Sequence, residues 1–346
     1  MSLDLLTLAL SAGELPARLG QIFYFVVLPM LLLAAIGFVI QKKLGLDMPT
    51  LTRMNFYFVT PGMVYFSVVS SRVTIDQIAQ VVGFSVATMA VVGAITLAVA
   101  RLRGVPRDQH NTMLMTTILN NSGNYGLPLQ DLAFRSYQLG PLATSYAVFV
   151  MLVQNVAHFT IGILLAAGGK KDRHWKENLL FVAKFPPLYA LAAALLTVQI
   201  RIALGNHAPA VAAALQPFWE VISHLRLAYV PVALGSLGAQ LALIPHSDEK
   251  YPVKASLVLR LLVAPAVGLG LCYLMGIHGF LAQLLIISTA TPSSVNSALL
   301  CLQFNNHPAY AARTVFYSTL LSSITVTIVI FLVQGDFLDQ LAFSTP

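Results

Sequence analysis

Ten apolar stretches of 21 to 27 residues alternate with short polar segments along the chain. They cover residues 20–41, 51–71, 77–100, 110–133, 141–167, 178–199, 222–244, 253–275, 279–302 and 310–333. A helix of about 20 predominantly apolar residues crosses the hydrocarbon core of a bilayer. The pattern therefore predicts an all-α polytopic membrane protein with ten transmembrane helices. The seventh helix has an alternative, because Glu220, His224 and Arg226 suit an amphipathic surface segment over residues 207–226.

The composition excludes several classes of protein. Only 10% of the 346 residues are charged, against about 25% in soluble domains, and 57% are hydrophobic, which does not fit a soluble enzyme. The net charge of +7 comes from short basic clusters between apolar stretches, so we expect no nucleic-acid partner. Cys272 and Cys301 lie in apolar runs. We therefore expect no disulfide framework and no thiolate metal site. No Ser-His-Asp order, paired carboxylates or metal-ligand cluster falls within one predicted layer, so we expect no metal, no cofactor and no enzymatic activity.

Lysine and arginine are distributed unequally between the two predicted sides of the membrane. The connections after helices 1, 3, 5, 7 and 9 carry 13 of them, and the opposite side carries five. Cytoplasmic loops are enriched in basic residues, so the first set of connections is expected to be cytoplasmic. We therefore expect a multi-pass protein of the cell inner (plasma) membrane with both termini non-cytoplasmic.

The two halves of the chain are similar to each other. Helices 1 and 6 match at an offset of 157 residues, and helices 2 and 7 match at an offset of 170. The aligned prolines are Pro29 with Pro186 and Pro61 with Pro231. Because each unit holds an odd number of helices, the second copy enters from the opposite face and the repeats are inverted. The predicted domains are a five-helix repeat, a short cytoplasmic linker and an inverted five-helix repeat, at residues 1–167, 168–177 and 178–346.

Helix 4 contains helix-breaking residues near its centre. Residues 119–128 read LNNSGNYGLP, with three amides, two glycines and a proline. Gly and Asn are poor helix formers, and Pro128 clashes with the carbonyl one turn earlier, near Asn124. The helix is predicted to unwind over residues 121–126. Backbone groups freed at that depth require a polar cavity.

Helix 9 carries a matching interruption at residues 289–297, TATPSSVNS. Interrupted helices at matched positions of inverted repeats point to a transport site. Half-helices that start near Asn124 and near Ser293 present unpaired N–H groups, which favour an anion. Side chains able to complete the hydrogen bonds of a carboxylate are Asn121, Asn124, Ser294 and Asn296. The alternative is that Gly and Pro are simply tolerated in membrane helices whose neighbours satisfy the backbone.

The runs NNSGNYGLPL and TPSSVNSALL, within a ten-helix chain, resemble the auxin efflux carrier family, including its bacterial malate and malonate permeases. The resemblance covers essentially the whole chain. It implies a fold of the bile-acid-symporter and antiporter kind, in which helices 4 and 9 cross and a transport part moves like an elevator. It also implies that Asn121 faces the substrate and that Pro292 is the second crossover proline. The binding residues expected at the crossing are Asn121, Asn124, Tyr125, Gly126, Pro292, Ser293, Ser294 and Asn296.

The chain departs from the plant members of that family in three places. It has Asn120 where they have a proline just before the substrate asparagine. The plant members place a Lys and an Asp near the site from helices 2 and 3, whereas residues 77–100 of this chain contain no charge. A coupling role for such a pair is therefore not transferred to this chain. The linker is about ten residues long, which is too short for the regulatory loop of the long plant carriers.

Several charged or titratable side chains fall inside the predicted helices. Arg260 in helix 8 either balances a charge on the substrate or caps the carbonyls of the broken helices. His158 in helix 5 is a candidate for proton coupling, although such a histidine more often only bonds a neighbouring helix. Lys184 in helix 6 is expected to extend to the cytoplasmic surface. Asp131 is expected to pair with Arg135, four residues further on.

Together these features predict a transporter of small organic anions, mono- or dicarboxylates such as malate or malonate. It is expected to work by secondary active or facilitative transport with elevator-type alternating access. One alternative is a sodium- or proton-coupled carrier of the bile-acid-symporter type, with Asn120, Asn124 and unwound carbonyls as sodium ligands. Another is a membrane sensor that binds its ligand without moving it. The expected partners are a small carboxylate and the lipid bilayer, with H⁺ or Na⁺ as candidate coupling ions and a homodimer as a candidate assembly.

Overall fold

The computed structural model describes residues 14–70, 73–168, 184–205, 208–244 and 250–334. These residues are nearly all helical and form no β-strand, which confirms the predicted all-α class. The helices are α1 Pro16–Leu44, α2 Met48–Met54 with Asn55–Val59 and Thr60–Ser70, α3 Ile75–Leu102, α4a His110–Ile118, α4b Ser122–Gly126 with Leu127–Arg135, α5 Gly140–Ala166, α6 Pro186–Leu204, α7 Gln216–Ala242, α8 Val253–Leu274, α9a Gly279–Thr289, α9b Val295–Gln303 and α10 Pro308–Gln334. A short helix, Ala208–Ala214, precedes α7.

Seven of these helices are long and apolar enough to cross a membrane: α1, α3, α5, α6, α7, α8 and α10. Among the described residues α2, α4 and α9 do not meet that criterion, since α4 and α9 are each divided into two short helices. The chain is therefore a multi-pass membrane protein, and ten crossings stay a prediction.

The helix ends follow from local sequence. Asp47 caps α2, because its Oδ2 accepts a hydrogen bond from the N–H of Thr50 at 3.0 Å. Thr74 and Gln77 form a reciprocal capping box at the start of α3. After α1, Gly45 adopts the left-handed conformation, with φ of 65°, that commonly ends a helix.

The helices form two groups around the broken segments. Helices α1, α2, α6 and α7 pack against one another, with α1 on α7 and α6 on α2. A Cβ added to Gly238 of α7 would lie 1.7 Å from the carbonyl oxygen of Ala34 in α1, so these two helices approach closely only because the position is glycine. The other group contains α3, α4, α5, α8, α9 and α10. Each group draws helices from both halves of the sequence.

Two predicted helix starts are corrected by the structure. Helix α7 begins at Gln216, six residues before its predicted start, because its polar residues find partners: Gln216 donates to Glu220, and Arg226 pairs with Asp131 on α4b. Helix α6 begins at Pro186, where two consecutive prolines suit a first turn. Lys184 therefore lies in an exposed turn before the helix rather than inside it. The predicted linker, residues 168–177, lies almost entirely outside the described residues.

Candidate functional site

The two interrupted helices meet at their breaks. The N–H of Asn121 donates to the carbonyl of Pro292 at 2.9 Å, and the N–H of Ser294 donates to the carbonyl of Leu119 at 3.0 Å. Asn120 and Ser293 form an antiparallel bridge between them. Each break thus satisfies backbone groups of the other, as buried peptides require. The extended segments cross in the interior of the bundle, as the family resemblance implies.

The break in α4 lies upstream of the predicted position. Leu119 is extended, with φ of −96° and ψ of 106°, whereas residues 122–126 form a π-helical turn instead of unwinding. In that turn the N–H of Gly126 donates to the carbonyl of Asn121, five residues back, at 2.8 Å. A π-helical turn omits one backbone hydrogen bond of the regular α-helix, and Pro128 has no N–H with which to donate such a bond. The position of the break is set by pairing with the second break rather than by the proline.

The half-helix starts are consequently Ser122 and Val295. The first lies two residues before the predicted start near Asn124, and the second lies two residues after Ser293. Ser294 caps α9b, because its Oγ accepts a hydrogen bond from the N–H of Asn296 at 3.2 Å. The first four N–H groups of a helix have no acceptor within it, and in α4b these belong to residues 122–125.

A small polar cavity lies at these half-helix starts. The space open to water is about 20 Å³, enough for about one water molecule. Binding of a dicarboxylate therefore requires the walls to move apart. The cavity is lined by Phe56, Thr60, Asn120, Asn121, Ser122, Gly123, Asn124, Met151, Asn155, His158, Tyr229, Ser294, Val295 and Asn296.

Three buried polar atoms of the cavity-lining residues have no partner among the described residues. They are the amide nitrogen Nδ2 of Asn121, the amide oxygen Oδ1 of Asn120 and the ring nitrogen Nε2 of His158. The three side chains are 6%, 5% and 2% exposed. Unpaired buried polar atoms are costly and are usually satisfied by water or a ligand. Their concentration around one cavity therefore indicates a binding site.

Asn124 is oriented by a residue that the sequence reasoning missed. Asn55, buried in α2, donates from Nδ2 to Oδ1 of Asn124 at 3.0 Å, and Asn55 in turn accepts from Thr60 Oγ1 at 3.2 Å. The amide group of Asn124 is thereby left with its N–H donors for the cavity. An asparagine inside an apolar stretch was the available signal, but nothing nearby in sequence indicates its partner.

Arg260 binds backbone carbonyls at the crossing and does not line the cavity. Its guanidinium donates from Nε to Thr291 at 3.0 Å, from Nη1 to Thr117 at 2.8 Å, and from Nη2 to Thr289. The carbonyls of Thr117 and Thr289 end α4a and α9a, where the helix dipoles are negative, and the carbonyl of Thr291 directly follows α9a. The placement favours the capping role of Arg260 over its role as counter-charge to a substrate. It also occupies the position at which a bound cation would meet those carbonyls.

The predicted binding residues divide into two sets. Asn121, Asn124, Ser294 and Asn296 line the cavity, together with His158. In the second set are Tyr125, Gly126, Pro292, Ser293 and Arg260, which do not line it. These residues hold the crossing together instead: Ser293 Oγ donates to the carbonyl of Thr116 at 2.6 Å, and the hydroxyl of Tyr125 accepts from Ser322 at 3.0 Å. The other wall residues Phe56, Met151 and Tyr229 carry no distinguishing sequence signal.

A larger cavity, which we call the vestibule, adjoins the site. It measures about 500 Å³ and shares Phe56 and Asn296 with the small cavity. The vestibule is lined by Thr52, Arg53, Phe56, Tyr57, Phe159, Lys184, Phe185, Pro186, Asn296, Leu299, Leu300 and Gln303. Arg53 and Lys184 give it a positive character that attracts anions.

On the far side of α4b, an ion pair links the two helix groups. Asp131, 7% exposed, pairs with Arg135 as predicted, and its other oxygen lies 3.8 Å from Nη2 of Arg226 in α7. Arg226 also lies over the ring of Phe66, 4.8 Å from its centre. No three His, Cys, Asp or Glu side chains among the described residues lie close enough to hold a metal ion.

A bundle of apolar helices in which two interrupted helices cross at a buried polar cavity is the arrangement of a membrane transport protein. The sequence model of the family described as "Membrane transport protein" matches residues 22–330. The chain belongs to this family, the auxin efflux carrier family, which confirms the resemblance drawn from its motifs.

Two relatives align over nearly their full length. A protein of Rhizobium meliloti named "Putative malonate transporter" is 27% identical over 327 residues, which is 89% of this chain and 95% of the relative. A protein of Methanothermobacter thermautotrophicus named "Uncharacterized transporter" is 24% identical over 309 residues, which is 87% of this chain and 95% of the relative.

Proposed function

We propose that this protein transports small organic anions, mono- or dicarboxylates such as malate or malonate, across the cell inner membrane. The observation that carries the proposal is the unpaired Asn121 Nδ2 in a cavity lined by the residues that begin α4b, whose N–H groups have no acceptor within the helix. Donors without acceptors suit a carboxylate, which has only acceptors when ionised. The family and the name of the Rhizobium relative support the substrate class.

Arg260 shifts the electrostatic balance of the crossing toward anions. Each half-helix contributes about half a positive charge at its N-terminus and about half a negative charge at its C-terminus. The guanidinium neutralises the C-terminal ends of α4a and α9a, so the positive ends of α4b and α9b act on the cavity without opposition. The same contacts occupy three backbone carbonyls that a sodium ion at the crossing would otherwise have as ligands, and leave Asn120 Oδ1 as an unpaired oxygen there.

Alternating access is supported by a difference between the two sides of the site: one side leads to the vestibule, and the other is closed by an ion pair between the helix groups. The vestibule leads to the cavity from the side of Arg53 and Lys184, which the distribution of basic residues assigns to the cytoplasm. On the other side, Asp131 joins α4b to Arg226 of α7. Movement of one helix group against the other, as in an elevator, would break this pair and open the site outward. Under this orientation both termini are non-cytoplasmic.

Replacement of Asn121 by Ala tests the proposal. Loss of a hydrogen bond to a charged group costs about 1.5–3 kcal/mol, so the KM for malonate uptake into proteoliposomes should rise about 10- to 150-fold. Ser297→Ala is the matched control, because Ser297 is buried in α9b, also has no partner among the described residues, and does not line the cavity. Unchanged uptake by the Asn121 variant, or equal losses in both variants, would refute the assignment. Absence of any flux in the wild-type protein, with ligand binding retained, would favour a sensor.

A further inference from the structure

The charges around the cavity balance a single negative charge. The N-termini of α4b and α9b contribute about half a positive charge each, and Arg260 is offset by the C-termini of α4a and α9a. No Asp, Glu, Lys or Arg lines the cavity in the part of the chain that the structure describes. The local total is therefore about +1. A monoanion is neutralised there, whereas a dianion retains a second charge away from water, at high cost.

Two hydrogen-bond acceptors in the cavity wall are fixed by backbone carbonyls. Asn120 Nδ2 donates to the carbonyl of Ser288 at 3.1 Å, so Oδ1 of the same amide is an acceptor. His158 Nδ1 donates to the carbonyl of Gln154 at 2.7 Å, so Nε2 of the neutral ring is an acceptor. Neither atom has a partner among the described residues. An ionised carboxylate cannot satisfy them, because it has no donor.

Given the anion site proposed above, we propose that the protein carries monoanions that also bear a hydrogen-bond donor, and takes a dicarboxylate in its half-protonated form. The ionised carboxylate of the substrate binds Asn121 Nδ2 and the N–H groups at the start of α4b. The protonated carboxyl group donates to Asn120 Oδ1 or His158 Nε2. No bond forms or breaks in the step, and the proton crosses the membrane on the substrate.

The titratable groups that face the site are few among the described residues. His158 of α5 and Tyr229 of α7 line the cavity, and the lining residues of α2, α4b and α9b are neutral. Arg260 of α8 lies behind the crossing, and Arg53 and Lys184 line the vestibule. Of these groups, only a histidine ordinarily titrates near neutral pH. The test must therefore separate protonation of His158 from protonation of the substrate.

Three probes make this separation in wild-type proteoliposomes. Malonate changes from monoanion to dianion with pH. Malonamate is a monoanion with amide N–H donors, and monomethyl malonate is a monoanion without a donor. The apparent KM for total malonate should rise about tenfold per pH unit above the second pKa of malonate, while the KM for malonamate stays constant. Monomethyl malonate should bind at least about tenfold more weakly than malonamate. Uptake of malonate, but not of malonamate, should acidify the lumen, as reported by a trapped pH-sensitive dye.

Each contrary result has a separate meaning. A malonate KM that does not change with pH would overturn the inference while leaving anion transport intact. An equal pH dependence for malonate and malonamate would also overturn it, because the protein would then be the titrating partner. Failure to transport any of the three probes would overturn the proposed function itself. His158→Phe should bring the KM values of monomethyl malonate and malonamate closer together, and this ratio does not depend on the amount of folded protein.

Discussion

Replacement of Arg260 by Met removes the three donors that cap α4a and α9a while keeping a side chain of similar length. The carbonyls of Thr117, Thr289 and Thr291 would then lose their guanidinium partners in a site where Arg260 is only 2% exposed. At about 1–2 kcal/mol for each unpaired carbonyl, the folded state should lose about 3–6 kcal/mol. Native proteins have only about 5–15 kcal/mol in total, so the loss is large.

Thermal unfolding in detergent at a fixed scan rate measures this effect. We expect the apparent Tm of Arg260→Met to fall by at least about 5 °C. Arg260→Lys should lie between this variant and the wild type, because an ammonium group keeps the charge but cannot span three carbonyls. Arg201→Met is the control, since Arg201 donates to a single described carbonyl, that of Val69, at 3.2 Å. Its apparent Tm should fall by about 2 °C or less.

The opposite pattern would refute the capping role. If Arg260→Met kept the wild-type Tm but lost malonate binding by calorimetry, the guanidinium would act on the substrate and not on the backbone. Equal changes in Tm for the Arg260 and Arg201 variants would show that the carbonyl contacts at the crossing carry no special weight.

Three further substitutions test the cavity and the helix packing. Gly123→Ala should keep the wild-type Tm, because the new Cβ would lie 3.7 Å from Met151 without a clash. It should raise the KM for malonate at least about tenfold, because the methyl group would fill a cavity of only about 20 Å³, and an unchanged KM would place the substrate elsewhere. Asn55→Ala should raise the same KM about 3- to 10-fold by releasing Asn124, and a kcat effect alone would contradict this. Gly238→Ala should lower the apparent Tm strongly, because its Cβ would clash with α1, whereas the Cβ of Gly235→Ala would meet no atom within 4 Å and should leave the Tm unchanged. Equal Tm values for the two variants would refute the close approach of α1 and α7.

The sequence predicts best what depends on local pattern. The apolar stretches locate most helices to within a few residues, because the length of a span and its flanking polar residues are both local. The interruptions in helices 4 and 9 are visible for the same reason, since Gly, Asn and Pro disfavour a helix wherever it lies. The cavity-lining residues Asn121, Asn124, Ser294 and Asn296 come directly from those two motifs.

Features that depend on distant partners could not be derived in this way. The break falls at Leu119 because its carbonyl pairs with Ser294, more than 170 residues away. The role of Arg260 depends on which backbone carbonyls lie beside it in the folded protein. Its place in the sequence of helix 8 does not reveal these partners. The start of α7 was predicted too late because the partner of Arg226 is Asp131 in another helix. Tertiary contacts decide each of these cases.

In the proposed mechanism the organic anion binds at the crossing of α4 and α9. A structure determined with bromomalonate tests it most directly, because the bromine atom is located by its anomalous signal independently of the protein. We expect a bromine peak in the cavity between Asn121 and Ser294, with one carboxylate within hydrogen-bond distance of Asn121 Nδ2. A peak confined to the vestibule beside Arg53, or to the helix surface, would contradict it.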